Sequence, residues 1–242
     1  MRRALVLLVA LPLVAAACGG GGGSKSSNSG STPLEAVRAA AQKTYAAGSE
    51  ALALTANVTA SGQAVELGGK GAFDIKRTRG AMHLNIKAGP VATTVDEVLV
   101  GAAIYLKSPL LTSGLPGGKT WVKLDLAKVH VSGLDLQSLL AQDPGAQLKR
   151  LQSLKSATKV GADSIGTHYK VKAATGAIGA YDVWVGDDGY VHRVVIAQSS
   201  PKVSVTVDLS KFGETVSAAT PPPGQVYESK NGSLPGLGGV GA

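Results

Sequence analysis

Hydrophobic and polar residues alternate along most of the chain, which is the pattern of β-strands buried on one face. In LALTANVTA, positions 52–60, the leucines, Ala56 and Val58 fall on one side, and the threonines and Asn57 fall on the other. The same period recurs in GAFDIKR, AMHLNIK, AAIYLK, TWVKLDL, THYKVKA, AYDVWVG, YVHRVVIAQ and KVSVTVDLS. We therefore predict an antiparallel sheet of at least nine strands, with one solvated face and one apolar face.

Two regions depart from this period of two. From Pro33 to Ala47 the apolar positions have helical spacing, with Thr32 as the N-cap and Gly48 as the stop. Between positions 134 and 157, leucines at helical spacing on both sides of DPG predict two short amphipathic helices. The sequence GDDG at 186–189 predicts a hairpin turn between two strands.

The pattern predicts an α+β fold that is mainly antiparallel β. Three short helices are a limited cover for the apolar face of so many strands, and large sheets tend to curl. A curled sheet that helices close imperfectly leaves a cavity. Alternatively, the helices fill the interior as an ordinary core. The pattern of the residues leaves both arrangements open.

The N-terminus has the features of an export signal. Arg2 and Arg3 precede an apolar run at 4–14 and the small residues at 15–17. That run is shorter than the ~20 residues that span a bilayer as a helix. Cys18 follows directly and is the single cysteine of the chain, an arrangement that resembles the bacterial lipobox. We predict a signal peptide at 1–17 and a diacylglyceryl anchor on Cys18; an ordinary secretory signal with a spare thiol is the alternative.

Composition divides the rest of the chain. Positions 18–32 hold the cysteine and a run of glycine and serine, which predicts a flexible tether. Positions 33–220 are expected to form one folded domain, and the Pro- and Gly-rich tail at 221–242 is expected to be disordered. The protein would then be exported and held by Cys18 at the outer face of the cell membrane.

The charge of the chain bears on its partners. The formal net charge is +8, but no run of basic residues is interleaved with aromatics, so nucleic-acid binding is not expected. Attraction to anionic lipid headgroups is the more natural consequence of this charge. The chain has two phenylalanines and two tryptophans, so its interior is built mainly from aliphatic residues.

Sequence motifs of catalysis are missing from the chain. His83, His130, His168 and His192 have no metal-site spacing, and neither a G-x-S-x-G elbow nor a G-x-x-x-x-G-K-[ST] loop occurs. The paired aspartates of GDDG are typical of a turn. We expect a protein that is not an enzyme and that has no catalytic residues, metal site or cofactor.

Longer stretches carry a resemblance to a known family. The run GTHYKV, then YDVWVGDDGYVHRVVI, then VSVTVDLSKFGETVSAATPPPGQV resembles the end of the actinobacterial LppX/LprAFG lipoproteins. The stretch AAIYLKSPLLTSGLPGGKTWVKLDL is similar to their middle. The resemblance implies a half-open, incomplete antiparallel barrel backed by helices, with an apolar cavity for the acyl chains of a lipid or glycolipid. Carriers of the LolA type are similar in fold.

The implied role is to carry or present a lipid in the cell envelope without chemistry. A transport partner in the envelope is compatible with this role. Each candidate lining residue could equally belong to a filled core, and a tethered protein-binding or scaffold lipoprotein is then the alternative function. The candidate lining residues are Phe73, Ile75, Met82, Leu84, Ile86, Ile104, Leu106, Val122, Leu124, Leu139, Leu140 and Leu151.

Overall fold

The computed structural model describes residues 31–60, 63–125, 151, 154–173, 180–199 and 202–229. Within them lie two α-helices, α1 (Pro33–Ala47) and α2 (Pro109–Thr112). The strands are β1 (Ser49–Ala60), β2 (Gln63–Asp74), β3 (Arg79–Ala88), β4 (Val91–Val100), β5 (Ala103–Lys107), β6 (Trp121–Asp125), β7 (Leu154–Asp163), β8 (Gly166–Ala173), β9 (Ala180–Val185), β10 (Val191–Ser199), β11 (Lys202–Ser210) and β12 (Val226–Glu228). Short 3-10 turns occupy Pro116–Gly118 and Pro223–Gln225.

All twelve strands form one sheet in the order β12-β6-β5-β4-β3-β2-β1-β11-β10-β9-β8-β7. Neighbouring strands are antiparallel except for β12, which pairs parallel to β6. The two ends of this order are not paired with each other, so the sheet is large and unclosed. The predicted fold class, a mainly antiparallel and incompletely closed sheet backed by short helices, is confirmed.

Helix α1 begins and ends where the sequence predicts. The Thr32 hydroxyl accepts a hydrogen bond from the Glu35 N–H, and the Glu35 carboxylate accepts one from the Thr32 N–H at 2.8 Å. Pro33 occupies the first turn, and Gly48 ends the helix with a left-handed φ of 82°. Local capping chemistry thus sets both ends of α1.

One stripe of α1 packs against the sheet. Val37, Ala40, Ala41 and Thr44 are buried, and α1 contacts β7, β9 and β10. The Thr44 hydroxyl donates to the Ala40 carbonyl at 2.8 Å and accepts from the Val191 N–H at 2.9 Å. We call the sheet face under α1 the inner face and the opposite one the outer face. The cluster of buried side chains around α1 is the first apolar cluster.

The outer face carries polar pairs between neighbouring strands. His83 Nδ1 lies 2.6 Å from Asp96 Oδ1, and His168 Nε2 lies 2.7 Å from Asp182 Oδ1. Arg193 donates to both carboxylate oxygens of Asp208. On β1 the predicted faces are confirmed, because Leu52 and Ala56 are buried whereas Thr55 and Asn57 are exposed.

Part of the predicted helical pair is wrong. Residues 154–157, assigned to the second helix, belong to β7, which pairs antiparallel with β8. Cross-strand hydrogen bonds to β8 outweigh the local leucine spacing there, as tertiary context commonly does. Leu151 is helical and buried. The remaining positions of that prediction, 134–150 and 152–153, lie outside the described residues.

The predicted disorder of the C-terminal tail is wrong for its first part. Val226–Glu228 forms β12, the Lys123 ammonium lies 2.7 Å from the Glu228 carboxylate, and the Ser229 N–H donates to the Lys123 carbonyl. Pairing with β6 supplies backbone partners that composition alone does not reveal. Residues 230–242 lie outside the described part.

The GDDG turn is confirmed. The Gly189 N–H donates to the Gly186 carbonyl at 2.8 Å, and Gly189 has a φ of 75°. This geometry joins β9 to β10 as the sequence predicts.

Among the described residues, none of the helices has the length and apolar character needed to span a bilayer.

Candidate ligand-binding surface

Strand pairing aligns the inward side chains of β11 and β1–β4 in rows across the sheet. Two neighbouring rows are almost entirely apolar, and we call them the apolar strip. The first row is Val207, Leu54, Gly69, Leu84 and Val95, and the second is Val205, Ala56, Leu67, Ile86 and Thr93. Thr93 ends the second row, and its hydroxyl lies 3.1 Å from that of Ser108.

The described helices pack beside the apolar strip. Helix α1 contacts β7, β9 and β10, and α2 contacts β4. The leucines and valines of the strip and Ile86 are half-buried, whereas Ala56 is buried. Leu67, Leu84 and Ile86 belong to none of the apolar clusters within the described residues. The strip therefore leaves apolar side-chain surface on the inner face.

Two glycines of β2 shape this surface. A Cβ at Gly69 would lie 2.6 Å from Leu84 Cδ2, and a Cβ at Gly71 would lie 2.4 Å from the Ala81 carbonyl oxygen. Such approaches are too close for any side chain, so glycine is required at both positions. Because β2 has no side chain there, Leu84 lies over the β2 backbone. The surface at this point consists of flexible aliphatic groups.

The candidate lining residues fall into separate groups. Phe73, Ile75 and Leu151 are buried in the first apolar cluster. Ile104, Leu106, Val122 and Leu124 are buried in a second cluster with Leu111 and Leu115, beside α2. Met82, Leu84 and Ile86 are half-buried on the inner side of β3. Leu139 and Leu140 lie outside the described residues.

This placement separates two kinds of position. The seven candidates in the clusters have packed neighbours, as core residues do. The three candidates on β3 leave side-chain surface accessible, and Leu84 and Ile86 lie within the apolar strip. Met82 packs against the first apolar cluster, so Leu84 and Ile86 are the described candidates that a ligand could reach without displacing a packed side chain.

The inner face also holds an acidic residue that sequence reasoning missed. Glu97 of β4 is the register partner of Met82 on β3 and of Leu106 on β5. It is half-buried, and its burial raises the pKa of the carboxyl to about 7. A signal existed in VATTVDEVLV, where Glu97 shares the period of two with Val95 and Leu99. Apolar residues occur at both odd and even positions of this segment, so the sequence did not show which of its sides faces inward.

A groove of about 550 Å³ crosses β1–β4 at the same level of the sheet. Its lining includes the outward-facing polar residues Thr55, Asn57, Glu66, Asn85 and Lys87. Glu66 and Lys87 lie on neighbouring strands with an N–O distance of 3.8 Å. The lining also includes Ala56, Leu67, Ile86 and Thr93, which belong to the second row of the apolar strip.

The described residues contain no group of three or more His, Cys, Asp or Glu side chains that could hold a metal ion. His83, His168 and His192 each pair with a single aspartate. His130 lies outside the described residues. These pairs are interactions of the sheet surface, and they offer no preassembled metal centre.

Neither a protein-family model nor a curated protein sequence matches the chain. Several solved structures resemble the fold. LprF from Mycobacterium bovis is 16% identical with a TM-score of 0.48, and the alignment covers 78% of this chain and 96% of LprF. LppX from Mycobacterium tuberculosis is 17% identical with a TM-score of 0.45, over 77% of this chain and 97% of LppX.

A LolA superfamily protein from Nitrosomonas europaea is 8% identical with a TM-score of 0.27, over 75% of this chain and 93% of that protein. LprF and LppX bear names of the family that the sequence resembles, and LppX is described as a lipoprotein. At these identities and TM-scores the likeness alone assigns no function to this chain.

Proposed function

We propose that this protein binds the acyl chains of a lipid or glycolipid against the apolar strip, and that it carries or presents this lipid in the cell envelope. Cys18, acylated after export, holds the domain at the outer face of the cell membrane. The protein performs no chemistry on its cargo. The apolar strip is the observation that carries this proposal.

The chemistry of the strip suits acyl chains. Its side chains are aliphatic, half-buried and arranged over several neighbouring strands. Apolar surface of this kind on a soluble domain commonly marks a binding site. Leucine, isoleucine and valine impose no fixed geometry on a partner, in contrast to aromatic rings. A chain with many rotamers can therefore lie along the strip in more than one conformation.

Energetics allow exchange with a membrane without an energy source. Moving a methylene from water to an apolar site is worth about 0.8 kcal/mol, or on the order of 12 kcal/mol for a chain of about sixteen carbons. A lipid that leaves a bilayer has already left water, so transfer to an equally apolar surface is nearly neutral. The carrier needs only to present its strip close to the membrane.

The N-terminal sequence supports that location. Cys18 and the Gly- and Ser-rich stretch that follows form a tether with a typical span of roughly 20 Å and a maximum of about 50 Å. The positive net charge favours an anionic membrane surface.

A Cys18→Ser substitution would move the exported protein from the membrane fraction to the soluble fraction and abolish metabolic labelling with palmitate. Unchanged membrane association would contradict the anchor.

Mass spectrometry of organic extracts tests the cargo directly. The exported chain with Cys18→Ser would be purified from an actinobacterial host beside an unrelated exported protein treated identically. A stoichiometric acylated lipid that is absent from the control would support the proposal and name the lipid class. A protein that carries no lipid and takes up none of the lipid added to it would contradict the proposal.

A pair of substitutions on one strand tests the surface. Leu84→Glu places a charge on the apolar strip, whereas Asn85→Glu places the same charge on the exposed outer side of β3. We expect both variants to fold and only Leu84→Glu to lose the bound lipid. Equal lipid retention in both variants would move the site away from the strip.

The alternative function is a tethered protein-binding or scaffold module. The observation in its favour is that Phe73, Ile104 and Leu124, among the expected lining residues, are buried in packed clusters. If Leu84 also belongs to a filled core, the Leu84→Glu variant unfolds. Unfolding of that variant together with a lipid-free wild-type protein would support this alternative.

A further inference from the structure

A single carboxyl group interrupts an apolar row of the inner face. Glu97 lies between Met82 and Leu106, and its neighbours on the same side of β4 are Val95 and Leu99. From β11 to β6 every other member of its row is apolar or glycine, and Tyr227 of β12 follows Val122. The row is Leu209, Leu52, Gly71, Met82, Glu97, Leu106, Val122 and Tyr227.

The Glu97 carboxyl has no hydrogen-bond or ion-pair partner among the described residues. Burial alone raises its pKa to about 7, and no interaction with another group contributes. Partial removal of a carboxyl from water without a hydrogen-bond partner is costly, so an acid at this position needs a reason. No structural role among the described residues accounts for it.

The position of Glu97 borders the apolar strip. Its row is directly next to the row of Leu84 and Val95. Two residues along a strand span about 7 Å, so Glu97 lies that far from Val95 along β4. A chain that lies on the strip therefore brings its polar end or a polar substituent within reach of the carboxyl. An unbranched hydrocarbon offers no partner there.

We propose that Glu97 contacts the bound lipid and specifies an acyl lipid that carries an oxygen-bearing polar group, either a hydroxyl or an ester, beside its chains. This inference rests on the proposed function. The protonated carboxyl donates a hydrogen bond to an ester carbonyl, and it accepts one from a hydroxyl. Either bond satisfies the carboxyl at the moment when the lipid excludes water from it.

Three neutral probes of similar chain length test this contact: hexadecane, methyl palmitate and hexadecan-1-ol. Displacement of a fluorescent acyl reporter from the full chain with Cys18→Ser gives a dissociation constant for each probe. The same measurements on Glu97→Leu complete a double-mutant cycle, in which differences in aqueous solubility cancel. Glu66→Leu, on the exposed outer side of β2, is the control variant.

We expect the preference for one polar probe over hexadecane to fall about tenfold in Glu97→Leu and to stay unchanged in Glu66→Leu. A loss confined to hexadecan-1-ol identifies a hydroxyl partner, and a loss confined to methyl palmitate identifies an ester. Glu97→Gln keeps hydrogen-bonding atoms and should retain most of the preference. These results support the inference.

The acidity of Glu97 supplies a second readout. Among the described residues, no titratable group faces it from β3, β5 or α2. On the same face, Glu50 is three strands away on β1 and Tyr227 is three strands away on β12. At pH 9 the ionised carboxylate accepts from a hydroxyl but cannot donate to an ester. The wild type should therefore lose its preference for methyl palmitate at pH 9, and Glu97→Gln should keep it.

Two negative outcomes are distinguishable. If the wild type binds the probes and Glu97→Leu leaves the preferences unchanged, the role of Glu97 is overturned while the proposed function stands. If the wild type binds none of the probes and Leu84→Glu retains as much bound lipid as the wild type, the proposed function and this inference both fail. Circular dichroism of each variant confirms that it is folded.

Discussion

At the residue scale, Glu97 couples the fold to pH. Its carboxyl has a pKa of about 7 in the folded chain, against a usual value of 4.5. Between these values the folded chain keeps a proton that the unfolded chain releases. The free energy of unfolding therefore falls as the pH rises, and the loss is complete above pH 7.

Glu97→Gln removes this penalty. We expect the variant to exceed the wild type by up to about 3 kcal/mol in free energy of unfolding at pH 9, and to match it at pH 4. Denaturant unfolding at both pH values measures the difference. Glu66→Gln is the control because Glu66 is exposed, and it should stay within about 0.5 kcal/mol of the wild type. A constant offset for Glu97→Gln across the pH range would contradict the assignment.

Two glycines of β2 provide a second comparison. Gly71→Ala should lower the free energy of unfolding by about 1 to 3 kcal/mol, because the new Cβ would lie 2.4 Å from the Ala81 carbonyl oxygen. Gly68→Ala places its Cβ in open space and should change stability by less than about 0.5 kcal/mol. Thermal unfolding compares the two variants. Equal stability of both would show that β2 and β3 move apart at little cost to admit the methyl group.

At the element scale, α1 is tied to the sheet by one buried hydroxyl. Thr44→Val keeps the shape of the side chain but leaves the Val191 N–H without its acceptor. We expect a loss of about 1 to 3 kcal/mol and faster hydrogen exchange at the Val191 amide. Thr44→Ser keeps the hydroxyl and should preserve the protection of that amide. Equal exchange in both variants would contradict this role of the bond.

The C-terminal strand β12 pairs with β6 and forms one edge of the sheet. A chain that ends after position 220 loses this strand and also Tyr227, which packs on the second apolar cluster. Its free energy of unfolding should fall by about 2 kcal/mol relative to a chain that ends after position 229, which retains β12. Denaturant titration measures this difference. Equal stability of the two chains would show that β12 adds nothing to the free energy of unfolding of the domain.

At the scale of the whole molecule, a bound lipid should stabilise the fold. A ligand at about one hundred times its dissociation constant adds about 2.7 kcal/mol, which corresponds to roughly 5 to 10 °C in Tm for a domain of this size. Differential scanning fluorimetry with a matching acyl lipid should show the shift for the wild type and for Asn85→Glu. Leu84→Glu should show none. A similar shift in all three proteins would indicate binding elsewhere.

Local chemistry made several elements predictable. The capping residues of α1 are neighbours in sequence, and the faces of β1 follow from alternation. Strand β4 was missed because its apolar residues occupy both alternations, and β12 because three residues are too few for a pattern. In β7, pairing with β8 overrode the local leucine spacing. Leu84 and Ile86 were named from the sequence as lining candidates. Leu54 was placed on the apolar face of its strand but was not a lining candidate, and Leu67 and Glu97 were not named.

Sequence patterns alone establish the mainly antiparallel class, the limits of α1, the polar and apolar faces of several strands and the resemblance to the LppX/LprAFG lipoproteins. These properties depend on residues within one turn or one strand of each other. The pairing of the strands, in contrast, establishes which apolar residues are packed and which lie on the strip, and that Glu97 lies between Met82 and Leu106. Register partners come from separate segments of the chain, so the burial that raises the pKa of Glu97 exists only after the strands pair.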